Sequence, residues 1–412
     1  MKKNVLSIGI LFILSVFFVF FQYNDVPKGL AHDEIELART AFSLEKRPYA
    51  PFTPVADGHG TPYFYILLGS FNIFGVNQFA LRLPNRVFGI TIILIFYGMM
   101  NLVFHSQKKW RAIISFSLSL MFLTSRWYLH FVRFSFEMPF LLFVELVSLY
   151  AILLYPENRR MVFLIISGLF AGIAFNSYQP GRIFFLVPLS VLFLYKSPWK
   201  QYVIYLIMFF IMIIPISSYL MLHPQSDIRI NQQLFIKNTS MTIGEKAAFL
   251  GSNIVKIALM FFWKGDINGR HNFPGKPAIN PILFSLFLFG LIISFMRKRT
   301  KEDFIFLFYF IISITPTIMT YPWENPNMLR TFTCLPALFY FIGRGFFQIF
   351  SFVHTKKYAF SLLAFLLMAI VISSYYEMKT YFIYQPLVFK QAIFGQPDYL
   401  SIVHESALKQ SQ

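Results

Sequence analysis

His32, Asp33 and Glu34 stand side by side at the head of the stretch HDEIELARTAFSL, and Asp57 and His59 follow in ADGHGTP. Side chains of these types serve general acid–base chemistry, or supply oxygen and imidazole ligands to a metal such as Mn or Zn. A metal reading would group His32, Asp33 or Glu34 with Asp57 and His59, a spacing that matches no established metal signature. A local reading competes with both. Asp33-x-x-Glu36 ahead of Leu37, Ala38, Ala41 and Phe42 fits a capping box that starts a short amphipathic helix, with Asp33 as the cap. Adjacent residues do not share a helix face. Asp33 and Glu34 therefore cannot both reach one pocket, and one can act on a substrate while the other supports the loop.

The elements that must position these groups are set by composition. The chain has 412 residues, is 57% hydrophobic and 13% charged, and contains 54 Phe. Soluble domains are about 25% charged, so this is an integral membrane protein. A net charge of +18 would suggest nucleic acid in a soluble protein; here the basic residues follow the orientation rule for membrane loops, and no nucleic-acid partner is expected. The single cysteine, Cys334, lies in an apolar run and excludes a disulfide framework or a cysteine-based metal site.

Apolar runs at 4–22, 84–104, 112–125, 137–155, 161–178, 183–195, 202–222, 280–296, 304–320, 331–342 and 358–374 make eleven expected spans. The first follows Lys2 and Lys3 and ends without a small-x-small cleavage site, so it reads as a retained span. With the N-terminus cytoplasmic, the inside loops are short and basic: Lys108, Lys109 and Arg111; Arg159 and Arg160; Lys196 and Lys200; the run from 297 to 301; and Lys356 with Lys357. The apolar run 62–75 is too short to cross and is expected as a juxtamembrane or re-entrant helix. Glu157, Glu302 and Asp303 fall inside and Glu145 within a span; the rest of the eighteen acidic residues fall outside. The expectation is one all-α polytopic domain over 1–412. Its outer face is built from a helical first loop at 23–83, a second at 223–279 and a tail at 375–412, with the C-terminus outside.

Arg82, Arg86, Arg126, Arg133, Arg182, Arg270 and Arg330 all fall on the outer side, where the positive-inside rule does not account for them. Their partners are lipid headgroups, or a specific phosphate held bidentately. In SRWYLHFVRFSFEMP, Arg133 and Glu137 are four apart and would share a helical face, as an intrahelical ion pair or as a polar wall of an outward cavity. In NSYQPGR, Pro180-Gly181 bends the chain and turns Tyr178 and Arg182 toward one region. No internal repeat is visible, and Glu145 is the one intramembrane acid, which weighs against a lipid or sugar transporter.

The order of these features resembles the polytopic glycosyltransferases of the GT-C fold, in particular the bacterial branch that is protein mannosyltransferase-like and aminoarabinose-transferase-like. The resemblance rests on HDEIELARTAFSL after the first span, GTPYFYILLGSFNIFGVNQFALRLPNRVFGI, SRWYLHFVRFSFE, GIAFNSYQPGRIFFLVPLSVLF, GRHNFPGKPAINPILFSLFLFGL and NPNMLRTFTCLPALFYFIGRG, and covers most of the chain. It implies a polyprenyl-phosphate-linked sugar donor, an acceptor hydroxyl, and transfer with inversion on the outer face of the cytoplasmic membrane. It further implies Asp33 as base with Glu34 next in line. The donor phosphate would then meet His59, Arg133, Tyr178, Arg182, Arg270 or Arg330. Relatives often carry a basic residue before the Pro that opens the juxtamembrane helix; this chain has Thr61 before Pro62. No metal is required on this reading, because Arg stabilises the leaving phosphate. A lipid-linked glycan polymerase or ligase is the alternative, but its key loop would lie late in the chain.

Overall fold

The computed structural model describes residues 2–105, 110–296, 299–351, 356–396 and 398–410. Lys108 and Lys109 of one expected inside loop, and Arg297 of another, lie outside the described residues.

All eleven apolar runs lie in helices. In chain order these are α1 (Lys2–Phe20), α4 (Gln78–Val103), α5 (Arg111–Thr124), α7 (Glu137–Asn158), α8 (Met161–Ser177), α9 (Leu186–Leu194), α10 (Trp199–Leu222), α13 (Pro281–Met296), α14 (Lys301–Ile318), α15 (Leu335–Ser351) and α16 (Lys356–Lys379). Between them run α2 (His32–Phe42), α3 (Pro62–Phe74), α6 (Arg126–Arg133), α11 (Ile228–Gln233) and α12 (Ile243–Phe262), with α17 (Gln385–Ala392) and α18 (Tyr399–Gln410) at the end. Five helices among the described residues are long and apolar enough to cross a membrane alone, or six if α5 and α6, bent by 59°, count as one broken span. The shorter apolar helices are packed against long ones: α8 lies against both α7 and α10, and α13 against α15. At the last contact a Cβ on Gly290 would stand 1.8 Å from the Phe341 carbonyl oxygen, so only glycine permits that approach.

The expected re-entrant segment is α3, a 13-residue helix opened by Pro62 and stopped at Gly75, whose φ of 79° suits glycine. The second loop differs from its reading as a plain loop, because it contains the 20-residue α12. This helix is capped by Thr242 and Glu245 and docks through Asn253, whose amide donates to the Ile318 and Thr320 carbonyls. Its end packs Phe261 and Phe262 on Phe287, Phe310 and Phe284.

The loops gather at opposite ends of the bundle. At one end Tyr195 donates to Glu302, Lys301 sits over the Tyr195 ring, and Arg344 pairs with Asp303. At the other end the first loop, the α10–α13 segment, the α14–α15 connection and the tail interlock. There β1 (Leu30–Ala31) pairs antiparallel with β4 (Ile393–Gly395), β2 (Phe52–Thr53) with β3 (His59–Gly60), and Leu234 bridges to Thr320. Gly60 lets β3 lie on the end of α8; a Cβ there would meet the Asn176 carbonyl oxygen at 1.7 Å.

Candidate active site

The two adjacent carboxylates of α2 go to different places. Glu34 is fully buried. Its Oε1 accepts from Arg82 Nε (2.7 Å) and the Ser135 N–H (3.0 Å), and its Oε2 from Arg82 Nη2 (2.7 Å) and the Ala31 N–H (3.1 Å). Arg82, equally buried, spends its remaining donors on the Pro27 and Gly29 carbonyls. A buried ion pair is tolerable when every lone pair and N–H is met in this way. The helix is thus capped two residues earlier than expected: Ala31 is the N-cap and Glu34 returns to its N–H. Glu36, the expected partner of Asp33 in the box, instead pairs with Arg39. The reason is tertiary, since only Glu34 meets a buried arginine.

Asp33 faces a polar cavity of about 540 Å³. Its Oδ1 accepts from Arg270 Nη1 at 2.7 Å, with both side chains about one-third exposed (30% and 34%). His32, Glu36, Asp57, His59, Glu137, Tyr178, Arg229, His271, Glu324 and Arg330 share the cavity wall. Five of the residues named from the sequence, Asp33, His59, Tyr178, Arg270 and Arg330, are therefore brought together. His59 is held with Nδ1 2.9 Å from Glu137 Oε2 and Nε2 3.0 Å from the Ala56 carbonyl oxygen, so both ring nitrogens are engaged. Among the described residues no three His, Cys, Asp or Glu side chains converge as a metal-ligand set.

Arg133 lines neither this cavity nor the groove beside it. Its guanidinium is buried and donates to the carbonyls of Phe18, Val19, Phe21, Gln22 and Val26. The Phe18 and Val19 carbonyls are in the last turn of α1, where a cation is favoured by the helix dipole as well, and the other three lie in the turn that follows it. The expected helical face shared by Arg133 and Glu137 does not form, because α6 ends at Arg133 and the extended Phe134 and Phe136 separate it from α7. The Asn85 amide holds that break by donating to the Phe134 and Phe136 carbonyls.

A second, mostly apolar groove of about 220 Å³ adjoins the polar cavity. Pro180, Ile183, Ile230, Leu234, Pro316 and Met319 line it, and Tyr178, Arg229, Gln233 and Arg330 belong to both spaces. Arg182 also borders the groove and pairs with Asp227 at 2.6 Å. At the junction Arg330 Nη2 donates to Gln233 and Glu324 (3.0 Å each), and Arg229 Nη2 to the Ala56 carbonyl (3.2 Å). Arg330 Nη1 and Arg229 Nε are buried with no hydrogen-bond partner among the described residues. Two arginines, each with a guanidinium donor unpartnered, where a polar cavity meets an apolar groove suit an anionic head on an apolar tail. Sequence reasoning missed Arg229, which sits in an irregular loop with no motif around it. It also passed over His271 in GRHNFPG, whereas Glu137, expected with Arg133 as a polar wall of an outward cavity, does line the cavity, without Arg133.

The tail ties the two sides of the site together. β4 pairs with β1 immediately before α2, while α18 packs on α2 and pairs His404 Nε2 with Glu45 at 2.7 Å. On the Arg270 side, Gln385 donates to the Gly269 carbonyl (3.3 Å), and Phe389 stacks on His130, which itself donates to the Arg270 carbonyl (2.6 Å). Lys276, further along the same loop, donates to Thr380 and lies 4.1 Å over the Tyr376 ring. Burial, and next the nearby Arg126, push its ammonium down to about 8, against the pull of Glu377.

Residues 59–221 match the family model of the dolichyl-phosphate-mannose-protein mannosyltransferases. No curated protein matches the chain in sequence. Among solved structures, the oligosaccharyltransferase of Archaeoglobus fulgidus in its apo form aligns at 13% identity and a TM-score of 0.57, over 96% of this chain and 56% of that one. ArnT from Cupriavidus metallidurans, bound to undecaprenyl phosphate, aligns at 12% identity and 0.54, over 97% and 77%. AglB of A. fulgidus, in complex with an inhibitory peptide and a dolichol-phosphate, aligns at 14% and 0.53, over 96% and 56%. This chain therefore spans little more than half the length of the archaeal enzyme. The chain therefore shares the fold of these solved membrane proteins over nearly its whole length, and the mannosyltransferase family model matches it over residues 59–221.

Proposed function

We propose that the protein transfers a sugar from a polyprenyl-phosphate donor to an acceptor hydroxyl, on the outer face of the cytoplasmic membrane. The observation that carries this reading is the junction of the Asp33 cavity with the apolar groove, marked by the open donors of Arg229 and Arg330. The prenyl chain lies in the groove and among surrounding membrane lipids, the phosphate at the two arginines, and the sugar in the polar cavity. Asp33 draws the proton from the acceptor hydroxyl as it attacks the anomeric carbon, and the configuration inverts. Charge grows on the phosphate as its bond to the sugar breaks, so fixed guanidinium groups stabilise the transition state more than the bound donor. The loops at the far end, with Arg159, Arg160, Lys196, Lys200 and Lys301, are basic and short, which under the positive-inside rule turns the cavity outward.

The test is incubation of the purified protein with a panel of polyprenyl-phosphate sugars, scoring release of polyprenyl phosphate. Arg229→Ala and Arg330→Ala each remove about 2 kcal/mol of charge-assisted hydrogen bonding and lower kcat/KM for the donor roughly 30-fold. Release from none of the donors, or an unchanged kcat/KM in both variants, would sink the assignment.

A further inference from the structure

The loop between α12 and α13 holds a second acid–imidazole pair on the same cavity. Asp266 is buried, and its carboxylate is aimed by three contacts: Oδ1 accepts from the Asn268 N–H (2.8 Å), while Oδ2 accepts from the Met328 N–H (2.9 Å) and lies 2.9 Å from His271 Nδ1. The backbone around it is tight: the Asp266 carbonyl takes the Gly275 N–H and the Asn272 amide. His271 is almost as buried, yet it lines the cavity that Asp33 faces, and it directly follows Arg270, the partner of Asp33.

A carboxylate can only accept, so Nδ1 of His271 carries the proton of that bond, and in the neutral ring the lone pair sits on Nε2. Nε2 has no hydrogen-bond partner among the described residues. His59 on the same cavity makes the contrast, because both of its nitrogens are engaged and it has no lone pair to offer. An imidazole fixed through Nδ1 by a buried aspartate, with Nε2 left to a substrate cavity, is the arrangement that enzymes use to take a proton from a hydroxyl.

We propose that Asp266 and His271 form a proton-relay dyad, in which Nε2 of His271 takes over from Asp33 the proton that the acceptor hydroxyl gives up. This rests on the glycosyltransferase reading above and deepens it. As the acceptor oxygen bonds to the anomeric carbon, the bond from that carbon to the phosphate oxygen breaks and its electron pair stays on the phosphate. The hydroxyl proton passes to Asp33 and from there to Nε2. An Asp33 that kept the proton would no longer balance Arg270; passing it on restores the pair. The imidazolium, balanced by Asp266, then releases the proton to solvent. The charged and titratable groups around His271 are Arg270 and Asp266 on its own loop, His130 of α6, and Asp33, Glu137 and Arg330 on the cavity wall.

The experiment compares wild type, His271→Ala, His271→Gln and Asp266→Asn, with Asp33→Asn as the inactive control. Asp33 stays the base in the His271 variants, but it can no longer pass its proton on, and the loss approaches the factor of about 10²–10⁴ that general acid–base catalysis contributes. His271→Ala and His271→Gln are expected to lower kcat about 100-fold or more and leave the donor KM within about threefold, and Asp266→Asn to lower kcat about tenfold or more by freeing the ring to change tautomer. Added imidazole should restore activity to the His271→Ala slot, and 4-methylimidazole, a stronger base, should restore more. His271→Gln keeps the volume and decides the kcat comparison if the alanine variant is not monodisperse. The dyad is overturned by a kcat within threefold of wild type, by a loss confined to donor KM, or by a folded alanine variant that no imidazole rescues. An active wild type with an indifferent His271 overturns the dyad alone. A wild type inactive toward every donor overturns the donor reading and the dyad with it.

Discussion

Exchanging the neighbours Asp33 and Glu34 for their amides, one at a time, separates a reacting carboxylate from a structural one. In Glu34→Gln one carboxylate oxygen becomes an NH₂ group, which donates. If it replaces Oε1, it faces Arg82 Nε and the Ser135 N–H; if Oε2, it faces Arg82 Nη2 and the Ala31 N–H. Either way two buried donors lose their acceptor, at about 1–3 kcal/mol each, and Arg82 loses its counter-charge. Breaking a buried pair from one side costs about 3–5 kcal/mol, a large part of a folding margin of about 5–15 kcal/mol. Asp33→Asn is different. Its pair with Arg270 is about one-third exposed, asparagine keeps an oxygen for Arg270, and the cost is at most about 1 kcal/mol. Thermal midpoints and size-exclusion profiles in detergent, read beside polyprenyl-phosphate release, should show Glu34→Gln markedly destabilised. Asp33→Asn should be as stable as wild type and inactive. Equal midpoints for the two variants would refute the division of labour, and an active Asp33→Asn would refute the role of Asp33.

Leu234→Trp narrows the apolar groove. If it displaces two or three methylenes of the prenyl chain, at about 0.8 kcal/mol each, the KM of a long-chain donor rises roughly 30-fold while that of a short-chain donor holds. Equal effects on both donors would remove the tail from the groove. Val403→Asp places a carboxylate where α18 is buried on α2 and should lower kcat about 10–100-fold by shifting Asp33; an unchanged kcat would show that the tail does not position the site. Lys276 has a folded pKa of about 8 against 10.5 in the open chain, so the unfolded state binds its proton more tightly. Its penalty is full below about 8 and relieved between 8 and 10.5, so stability should rise with pH across that window. Thermal midpoints of Lys276→Met, set against wild type, should lack this contribution; parallel profiles would count against it.

Much of the scaffold was legible because it is written locally. Apolar content and run length identify a membrane protein, and all eleven runs lie in helices, since a helix in lipid satisfies its own backbone within the segment. Pro62 and Gly75 delimit α3 by backbone chemistry alone. The acidic pair near residue 33 was visible for the same reason. Which member faces the cavity was not, because the answer comes from Arg82, 48 residues from Glu34, and Arg270, 237 residues from Asp33. The same holds for Arg133: its type suggested a phosphate, but five carbonyls in the last turn of α1 and the turn after it take its N–H groups. Arg229 and the Asp266–His271 pair have no local signature, and the tail's strand pairing joins residues at opposite ends of the chain. Composition and periodicity therefore determined that this is a helical membrane protein and where its apolar runs become helices. Tertiary structure alone decided where each charge points, because a buried ion goes wherever distant partners satisfy all of its hydrogen bonds.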